Sequence, residues 1–429
     1  MQTKINTAEE AFHYWKRTSI EERISHIQNL KNTLHNHREH YATLITQEMG
    51  KPISQSLAEV DKCGVLCDYY CKNAADLLQP KYIKTEGHEN FITYEPLGVL
   101  LGVMPWNFPF WQVFRFAIPS IIAGNVVLVK HASNVPQSAE SIEALFTESG
   151  LPIGVYQNLH IPSDKVAEVI AHPEIKAVSL TGSEAAGSAV AAMAGKHLKK
   201  SLLELGGSNA FIVCKDADLD NAVAIAVNAR MQNTGQSCIA AKRFLIQQDI
   251  FDAFTEKYKQ AVSQLKTGDP MDPETQIGSM ARVDLAEELE KQVNRSVAMG
   301  AKIVVGGNRK DAFYEPTILT DITTEMAVFK EETFGPVAAF ISFETLADAI
   351  AISNQSEFGL GVSIFTQDIA SIRNHISEFH EGAVFINEMV KSDARLPFGG
   401  VKKSGYGREL SEEGIKEFVN IKTVVIKTS

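Results

Sequence analysis

Cysteine is scarce in this 429-residue sequence, and its five cysteines do not form a disulfide framework. An odd, sparse count in a large chain favours free thiols and a reducing cytoplasm. Cys63, Cys67 and Cys71 recur at every fourth residue and would share one face of a helix. Zinc sites usually combine close cysteine pairs with further Cys or His ligands. The spacing therefore favours a buried helix face over a metal site, and we expect no metal.

The sequence also lacks a basic excess, a secretory leader and an uninterrupted apolar run of membrane length. Its net charge is −11, and no basic stripe suggests a nucleic-acid surface. The N-terminal 17 residues mix charges and have no apolar core, unlike a signal peptide. Residues 96–114 are uncharged and long enough to span a bilayer. Pro105, Asn107, Pro109 and Gln112 interrupt that segment, so we expect a strand, a loop and a helix start instead.

Short apolar runs that alternate with amphipathic stretches make up most of the remaining chain. The length suggests two or three domains. Strands alternating with helices at this spacing predict parallel sheets covered on both faces, an α/β fold. The predicted strands of the first series occupy 97–104, 125–130, 155–160, 177–182 and 201–207. A second series begins at Ala210.

These patterns divide the chain near Gly206–Gly207. We predict two helices within residues 8–50 and a hairpin at 81–96. The C-terminal strand is expected to pair with that hairpin or with a neighbouring subunit. The predicted cofactor-binding domain comprises residues 1–80 and 97–206, and the predicted catalytic domain comprises residues 207–410. Residues 81–96 and 418–429 are predicted to be bridging or oligomerisation strands.

A glycine fingerprint of the GxGxxG type is missing after the first strand, so that motif alone gives no dinucleotide site. TGSEAAG at 181–187 instead follows a strand and opens a helix. Gly182 lets the backbone turn, and Ser183 with the first free amides would face an anion at the positive helix end. Such turns also cap helices without any ligand, so the motif by itself leaves both interpretations open.

Four further signals fit together. Asn107 follows a buried strand, and Glu204 ends another strand just before two glycines. Cys238 lies in a TGQSC loop after a predicted helix, while Glu332 and Phe334 stand two apart further on. A lone free cysteine is usually an inert buried thiol. A carboxylate, an amide and a cysteine, each at the end of an element, instead indicate a catalytic site.

In this order and spacing, the motifs resemble those of the NAD(P)-dependent aldehyde dehydrogenase superfamily over nearly the whole chain. The resemblance implies a Rossmann-like cofactor domain, a second α/β catalytic domain and a small β oligomerisation element, assembled as a homodimer or homotetramer. The chain starts at the first helices, without the short extended segment usually found before them. The matching strings are PWNFP, TGSEAAG, ELGGSNAFIV, NTGQSC, EETFGPV and PFGGVKKSGYGRE.

The resemblance also implies a mechanism. Cys238 would attack the aldehyde carbonyl as a thiolate and form a thioester after hydride transfer. The side-chain amide of Asn107 and the backbone N–H of Cys238 would hold the oxyanion. Glu204 would activate the water that hydrolyses the thioester. Glu409 matches a carboxylate thought to relay protons near the nucleophile.

Cofactor residues carry over in the same way. Trp106 and Asn107 would line the nicotinamide end, and Gly182 with Ser183 would meet the pyrophosphate. Lys130 is expected at the adenine ribose and Leu205 at the nicotinamide amide. Glu332 is expected at the nicotinamide ribose, with Phe334 packed beside it.

The run Lys130-His131-Ala132-Ser133 bears on the choice of cofactor. NAD-preferring relatives commonly carry a glutamate where Ser133 stands, which accepts from the ribose hydroxyls and repels a 2′-phosphate. Serine removes that repulsion, and Lys130 can pair with the phosphate. The sequence therefore predicts that NADP+ is accepted beside NAD+ and can be the preferred cofactor.

Arg115 bears on the choice of aldehyde. It resembles the arginine that clamps the distal carboxylate in succinate-semialdehyde dehydrogenases. Ser392 matches a serine with the same purpose, and Arg395 adds a cation in that loop. Some relatives carry a second arginine where this chain has Gln232. The alternative is that Arg115 forms a structural ion pair.

The expected activity is oxidation of an anionic aldehyde, succinate semialdehyde, to its acid. Three alternatives remain open: a broad-specificity or other small-aldehyde dehydrogenase, a coenzyme A-acylating dehydrogenase, and a non-catalytic nucleotide-binding relative. Glu204 argues against coenzyme A acylation because a water-activating base has no use there. The presence of Cys238 and Glu204 argues against a silent relative.

Overall fold

A computed structural model describes residues 1–86 and 89–427. Its α-helices are α1 Gln2–Trp15, α2 Ile20–Asn36, α3 Arg38–Met49, α4 Ile53–Leu78, α5 Trp111–Ile122, α6 Pro136–Glu148, α7 Val166–Ala171, α8 Glu184–Lys196, α9 Leu219–Met231, α10 Phe251–Ser263, α11 Val283–Ala298, α12 Ala327–Lys330, α13 Leu346–Asn354, α14 Ile369–His375 and α15 Ser411–Lys416. Its strands are β1 Lys81–Tyr82, β2 Glu89–Pro96, β3 Val99–Met104, β4 Val126–His131, β5 Tyr156–Asn158, β6 Ile175–Thr181, β7 Lys200–Glu204, β8 Asn209–Val213, β9 Ala241–Gln247, β10 Lys302–Val305, β11 Arg309–Lys310, β12 Phe313–Tyr314, β13 Thr317–Thr320, β14 Val337–Phe343, β15 Phe358–Gly359, β16 Val362–Phe365, β17 Val384–Ile386, β18 Val401–Lys402, β19 Gly405–Tyr406 and β20 Val419–Ile426.

The first sheet has the strand order β19-β7-β6-β3-β4-β5. Its neighbours pair in parallel except β19, which runs antiparallel to β7. All six residues of β4 are buried, as expected where helices cover both faces of a parallel sheet. The predicted α/β architecture is confirmed in this half of the chain.

The second sheet has the order β10-β13-β14-β9-β8-β16-β17, and only β10 pairs antiparallel. Successive residues of a strand point to opposite faces. In β8, Ala210 and Ile212 accordingly pack into one apolar cluster, and Phe211 and Val213 into another. The two clusters cover the two faces of this sheet.

The third sheet joins the hairpin region to the C-terminal strand. β2 pairs antiparallel with β1 on one side and, from residue 89 to residue 96, with β20 on the other. The expected pairing of the C-terminal strand with the hairpin is confirmed. Over residues 1–86 and 89–427, no helix is long and apolar enough to cross a membrane.

The N-terminal region contains three helices, α1, α2 and α3. The prediction of two helices within residues 8–50 is therefore wrong. The Ser19 hydroxyl accepts from the Glu22 N–H and starts α2 afresh after a turn. The backbone of His37, at φ −110° and ψ 20°, separates α2 from α3. A pattern of apolar spacing does not register such short interruptions.

Helix α4 packs against α2, α3 and α5. Its cysteine face is buried as predicted: Cys63 and Cys67 are inaccessible and Cys71 is half-buried. Chain from beyond residue 206 also returns to this half of the molecule. Leu360 and Phe398 belong to the first core, and β19 extends the first sheet. The domain limits given above stay a prediction.

Candidate active site

The loops at the carboxyl ends of β3, β6 and β7 meet around Cys238. Ligands of open α/β sheets usually bind at this edge. The loops enclose a cavity of about 270 Å³. Its lining includes Trp106, Asn107, Gly182, Ser183, Leu205, Cys238, Glu332 and Phe334. The structure thus brings together most of the residues that the sequence predicted for the nicotinamide end of a cofactor.

The loop before Cys238 has an unusual backbone. Asn233, Thr234 and Gly235 all have positive φ, between 53° and 73°. This conformation is costly for a β-branched residue such as Thr234 and persists only where the surroundings impose it. The Asn233 side chain donates to the carbonyl of Asn107 at 2.9 Å, and Arg230 donates to the carbonyls of Gly235 and, at 2.9 Å, Ala241. These contacts fix the path of the loop.

Lys242 lies four residues after the cysteine, in β9, and is fully buried. Its Nζ donates to the carbonyls of Ser237 at 2.8 Å and Cys238 at 2.7 Å. The same ammonium is 3.2 Å from Oε1 of Glu332. A single buried cation therefore joins the backbone of the cysteine loop to a carboxylate at the cofactor end of the cavity.

The charge state of Cys238 follows from this environment. Burial raises the pKa of the thiol to about 11, and Lys242 and then Arg115 oppose the shift. Glu332 and Glu204 add to it. The resting side chain is a thiol at neutral pH, and any change that brings positive charge closer would favour the thiolate, the nucleophilic form.

Asn107 is buried beside the thiol. Its Nδ2 donates to the carbonyl of Gln236 at 3.1 Å, and its Oδ1 accepts from Nε2 of Gln112 at 3.2 Å. These two bonds fix which end of the amide is the nitrogen. Because an amide nitrogen carries two hydrogens, Asn107 can keep its bond to Gln236 and still donate to an oxygen in the cavity.

Two glycines allow the close approach that the sequence suggested. A side chain at Gly207 would lie 2.6 Å from the carbonyl oxygen of Cys238, and one at Gly206 would collide with the carboxylate of Glu332. Glu332 accepts from the Gly207 N–H at 3.0 Å. Only glycine at both positions lets this carboxylate and the cysteine loop lie against the end of β7.

The cavity fits the nicotinamide end of a dinucleotide. Ser183 caps the 13-residue helix α8, so the positive helix end faces this region, and the Thr181 hydroxyl is buried without a partner among the described residues. The rings of Trp106 and Phe334 meet edge to face at 5.8 Å. An anion-binding helix end, a carboxylate for hydroxyls and apolar walls match a pyrophosphate, a ribose and a nicotinamide.

Glu204 lies at the end of β7 and is buried, with Oε1 unpartnered among the described residues. Burial first, and the neighbouring Glu409 second, hold its pKa well above the ordinary range, against the effect of Arg115. Arg115 itself forms a buried ion pair with Glu409. The structural ion pair predicted as an alternative for Arg115 therefore exists, with Glu409 as its partner.

A second cavity, of about 350 Å³, lies on the other side of Cys238. Arg115, Ser392 and Gln232 line it, as does Lys62 of α4. Nη2 of Arg115 is buried without a hydrogen-bond partner in the described part of the chain, so the ion pair leaves donor capacity toward a ligand. This cavity contains the substrate residues predicted from the sequence, with one exception.

The exception is Arg395, which is not brought to either cavity. Its side chain is 75% exposed and pairs with Asp393 at 2.6 Å on the surface. The adenosine-side residues lie apart as well. Ser133 lines another cavity with His131 and His160, and Lys130 donates to the Ser163 hydroxyl at 3.3 Å.

Three residues of the site went unrecognised in the sequence. Gln112 appeared only as an interruption of an apolar run, although it orients Asn107. Lys242 stands four residues after the cysteine, where a lysine inside a buried strand was a usable signal. The only sequence signal for Lys62 was its position next to Cys63, the first cysteine of the buried face of α4.

Comparison with known proteins agrees with this geometry. The model of the aldehyde dehydrogenase family matches residues 1–424. A probable succinate-semialdehyde dehydrogenase (NADP(+)) of Synechocystis sp. is 46% identical over 429 residues, covering 99% of this chain and 94% of that protein. A succinate semialdehyde dehydrogenase (NAD(P)+) of Escherichia coli is 46% identical over 427 residues, covering 99% and 92%. A solved succinic semialdehyde dehydrogenase from Streptococcus pyogenes in complex with NADP+ has a TM-score of 0.97 at 36% identity, covering 100% and 95%.

Proposed function

We propose a function from the premise that this chain belongs to the aldehyde dehydrogenase family: it oxidises succinate semialdehyde to succinate and reduces NADP+ or NAD+. One observation carries the proposal. Cys238 lines two cavities at once, one with an anion-binding helix end and the other with an arginine and a serine. The thiol can therefore meet a dinucleotide on one side and an anionic aldehyde on the other.

In the proposed reaction, the Cys238 thiol first releases its proton to solvent water, and the thiolate then attacks the aldehyde carbon. The Asn107 Nδ2–H and the Cys238 backbone N–H donate to the oxyanion that forms, and one such donor typically lowers a barrier by about 3–4 kcal/mol. A bound NAD(P)+ would supply the acceptor for the hydride that the tetrahedral carbon loses. Trp106, Gly182, Ser183, Leu205, Glu332 and Phe334 are the residues proposed to hold its nicotinamide half.

Glu204 then takes a proton from the water that hydrolyses the thioester. Its raised pKa makes it a better proton acceptor than an exposed carboxylate, because the charged form is poorly solvated where it lies. Glu409, held by Arg115, is a second buried carboxylate behind it and is proposed to pass the proton on.

Lys130 and Ser133 support the use of NADP+. Among the described residues, no carboxylate lines the cavity that contains Ser133, so a 2′-phosphate meets no like charge there. Lys130 lies near the end of β4, and its Nζ donates to the Ser163 hydroxyl. Burial lowers the pKa of Lys130. We propose that this lysine faces the phosphorylated ribose.

Location and assembly complete the proposal. All five cysteines lie within the described residues and are unpaired, which supports a reducing cytoplasm. Ile421, Val425 and Ile426 of β20 are exposed on the three-stranded sheet. An exposed apolar strand of this kind favours pairing with a second copy, so we propose a homodimer or homotetramer.

The test is NADPH formation with succinate semialdehyde and with butanal, an uncharged aldehyde of the same chain length. The wild type should prefer the anionic aldehyde, and Cys238→Ala should abolish turnover. Arg115→Ala should raise KM for succinate semialdehyde far more than for butanal. Equal use of both aldehydes by the wild type would refute the proposed substrate, and turnover by Cys238→Ala would refute the mechanism.

A further inference from the structure

We propose that Lys62 is a second cation for the distal carboxylate of the substrate, acting together with Arg115 and through Ser392. The inference rests on the proposed function and names a residue that determines specificity at the same site. It places the second cation on α4, whereas the position where some relatives carry a second arginine holds Gln232.

The position of Lys62 is fixed by its helix. One turn earlier, Glu59 accepts from the backbone N–H of Phe110 at 2.9 Å and of Trp111 at 3.0 Å, which locks α4 to the start of α5. The Nζ of Lys62 then lies 4.3 Å from the centre of the Trp111 ring. This cation–π contact holds the ammonium against the wall of the cavity.

The partner of Lys62 is a neutral hydroxyl. Nζ donates to Oγ of Ser392 at 2.7 Å, and the structure shows no ion pair for Lys62 within the described residues. The Ser392 oxygen accepts from the lysine, so its own hydrogen is available for another acceptor. A ligand carboxylate could accept from the lysine and the serine together.

Nearby carboxylates are already engaged. Glu59 binds Lys51 as well as the two amides at the start of α5, and Asp393 pairs with Arg395. The charge of the cavity therefore remains unbalanced. Burial, and then the proximity of Arg115, lower the pKa of Lys62 to about 8. Two cations that disfavour each other in a half-buried cavity are both stabilised when an anion binds between them.

The lining of this cavity matches a substrate with one carboxylate. Arg115 and Lys62 line the same space as Cys238, and Phe108, Trp111 and Phe398 supply apolar walls. A short aldehyde with a carboxylate at its far end matches this lining, which combines a thiol, apolar walls and two cations. An uncharged aldehyde uses only the first two features.

The experiment compares Lys62→Met, Lys62→Gln and Lys62→Arg on succinate semialdehyde and butanal. Lys72, exposed on the same helix, provides the matched control variant Lys72→Met. We expect Lys62→Met to raise KM for succinate semialdehyde at least about tenfold, the loss typical of one hydrogen bond to a charged group. The kcat and all constants for butanal should change little. Lys62→Arg should restore most of the affinity, and Lys72→Met should match the wild type.

The outcomes separate the two proposals. If the wild type does not prefer succinate semialdehyde, the proposed function is overturned. If it does, and Lys62→Met and Lys62→Gln keep that preference unchanged, the assignment of Lys62 is overturned while the function stands. A loss shared equally by both aldehydes in Lys62→Gln would show a purely structural lysine and would also overturn it. Lys62→Gln serves if Lys62→Met folds poorly.

Discussion

Replacing Gly206 by alanine tests how the site holds Glu332. The backbone of Gly206 does not have positive φ, so alanine is sterically acceptable to the chain itself. The added methyl carbon would lie 3.1 Å from Cδ of Glu332 and still nearer one of its oxygens. Carbon atoms in contact prefer about 3.5–4.0 Å. The carboxylate must therefore move by roughly half an ångström or more.

That shift is large compared with the bonds that place the carboxylate. Its contacts to the Gly207 N–H at 3.0 Å and to Lys242 at 3.2 Å would lengthen to about 3.5 Å and about 3.7 Å, distances at which little hydrogen bonding remains. A hydrogen bond to a charged group is worth about 1.5–3 kcal/mol. If Glu332 binds the cofactor ribose, Kd for NADP+ should rise at least about tenfold.

Calorimetric titration of the unliganded protein with NADP+ measures this directly. Gly195→Ala is the control, because that position lies in α8 with open space where the methyl would go. The control should bind as the wild type does and be equally or more stable, since alanine suits a helix interior better than glycine. Unchanged NADP+ affinity in Gly206→Ala would refute the role assigned to Glu332.

Two further predictions concern charge. Alkylation of Cys238 by iodoacetamide should accelerate as pH rises toward about 11, because only the thiolate reacts. Below about pH 8, where Lys242 is charged, Lys242→Met should be alkylated more slowly than the wild type, because it lacks the main cation that favours the thiolate; equal rates there would contradict the electrostatic role of Lys242. Ser133→Glu should raise KM for NADP+ at least about tenfold with little effect on NAD+, since like charges would meet at the 2′-phosphate. Equal effects on both cofactors, measured by steady-state kinetics, would contradict the proposed place of Ser133.

The fold and the cofactor side of the site were accessible from the sequence for a physical reason. Buried parallel strands are continuous apolar runs, and the residues at their ends follow directly in the chain. Asn107, Ser183 and Glu204 could be placed at one sheet edge because each follows or ends such a strand. The antiparallel addition of β19 was missed, since a two-residue strand carries no pattern.

The substrate side depended on contacts between distant segments. Lys62 and Ser392 are 330 residues apart, and neither position has a motif that names the other. Arg395 shows the reverse case. Its charge and loop suggested a contact with a ligand, but Asp393 two residues earlier is its ion-pair partner, and the arginine side chain lies largely in solvent. Charge identity alone does not decide which cation faces a cavity.

The first apolar core contains residues from both ends of the chain, and this has a consequence for synthesis of the chain. Leu410, Ile415, Phe418 and Val419 pack into the same cluster as residues of α1 and β3. When residue 206 has been made, 223 of the 429 residues are still to come. At about 5–20 residues per second, that takes roughly 11 to 45 seconds. Throughout this time the apolar surface that these C-terminal residues cover in the finished protein stays uncovered on the nascent first half.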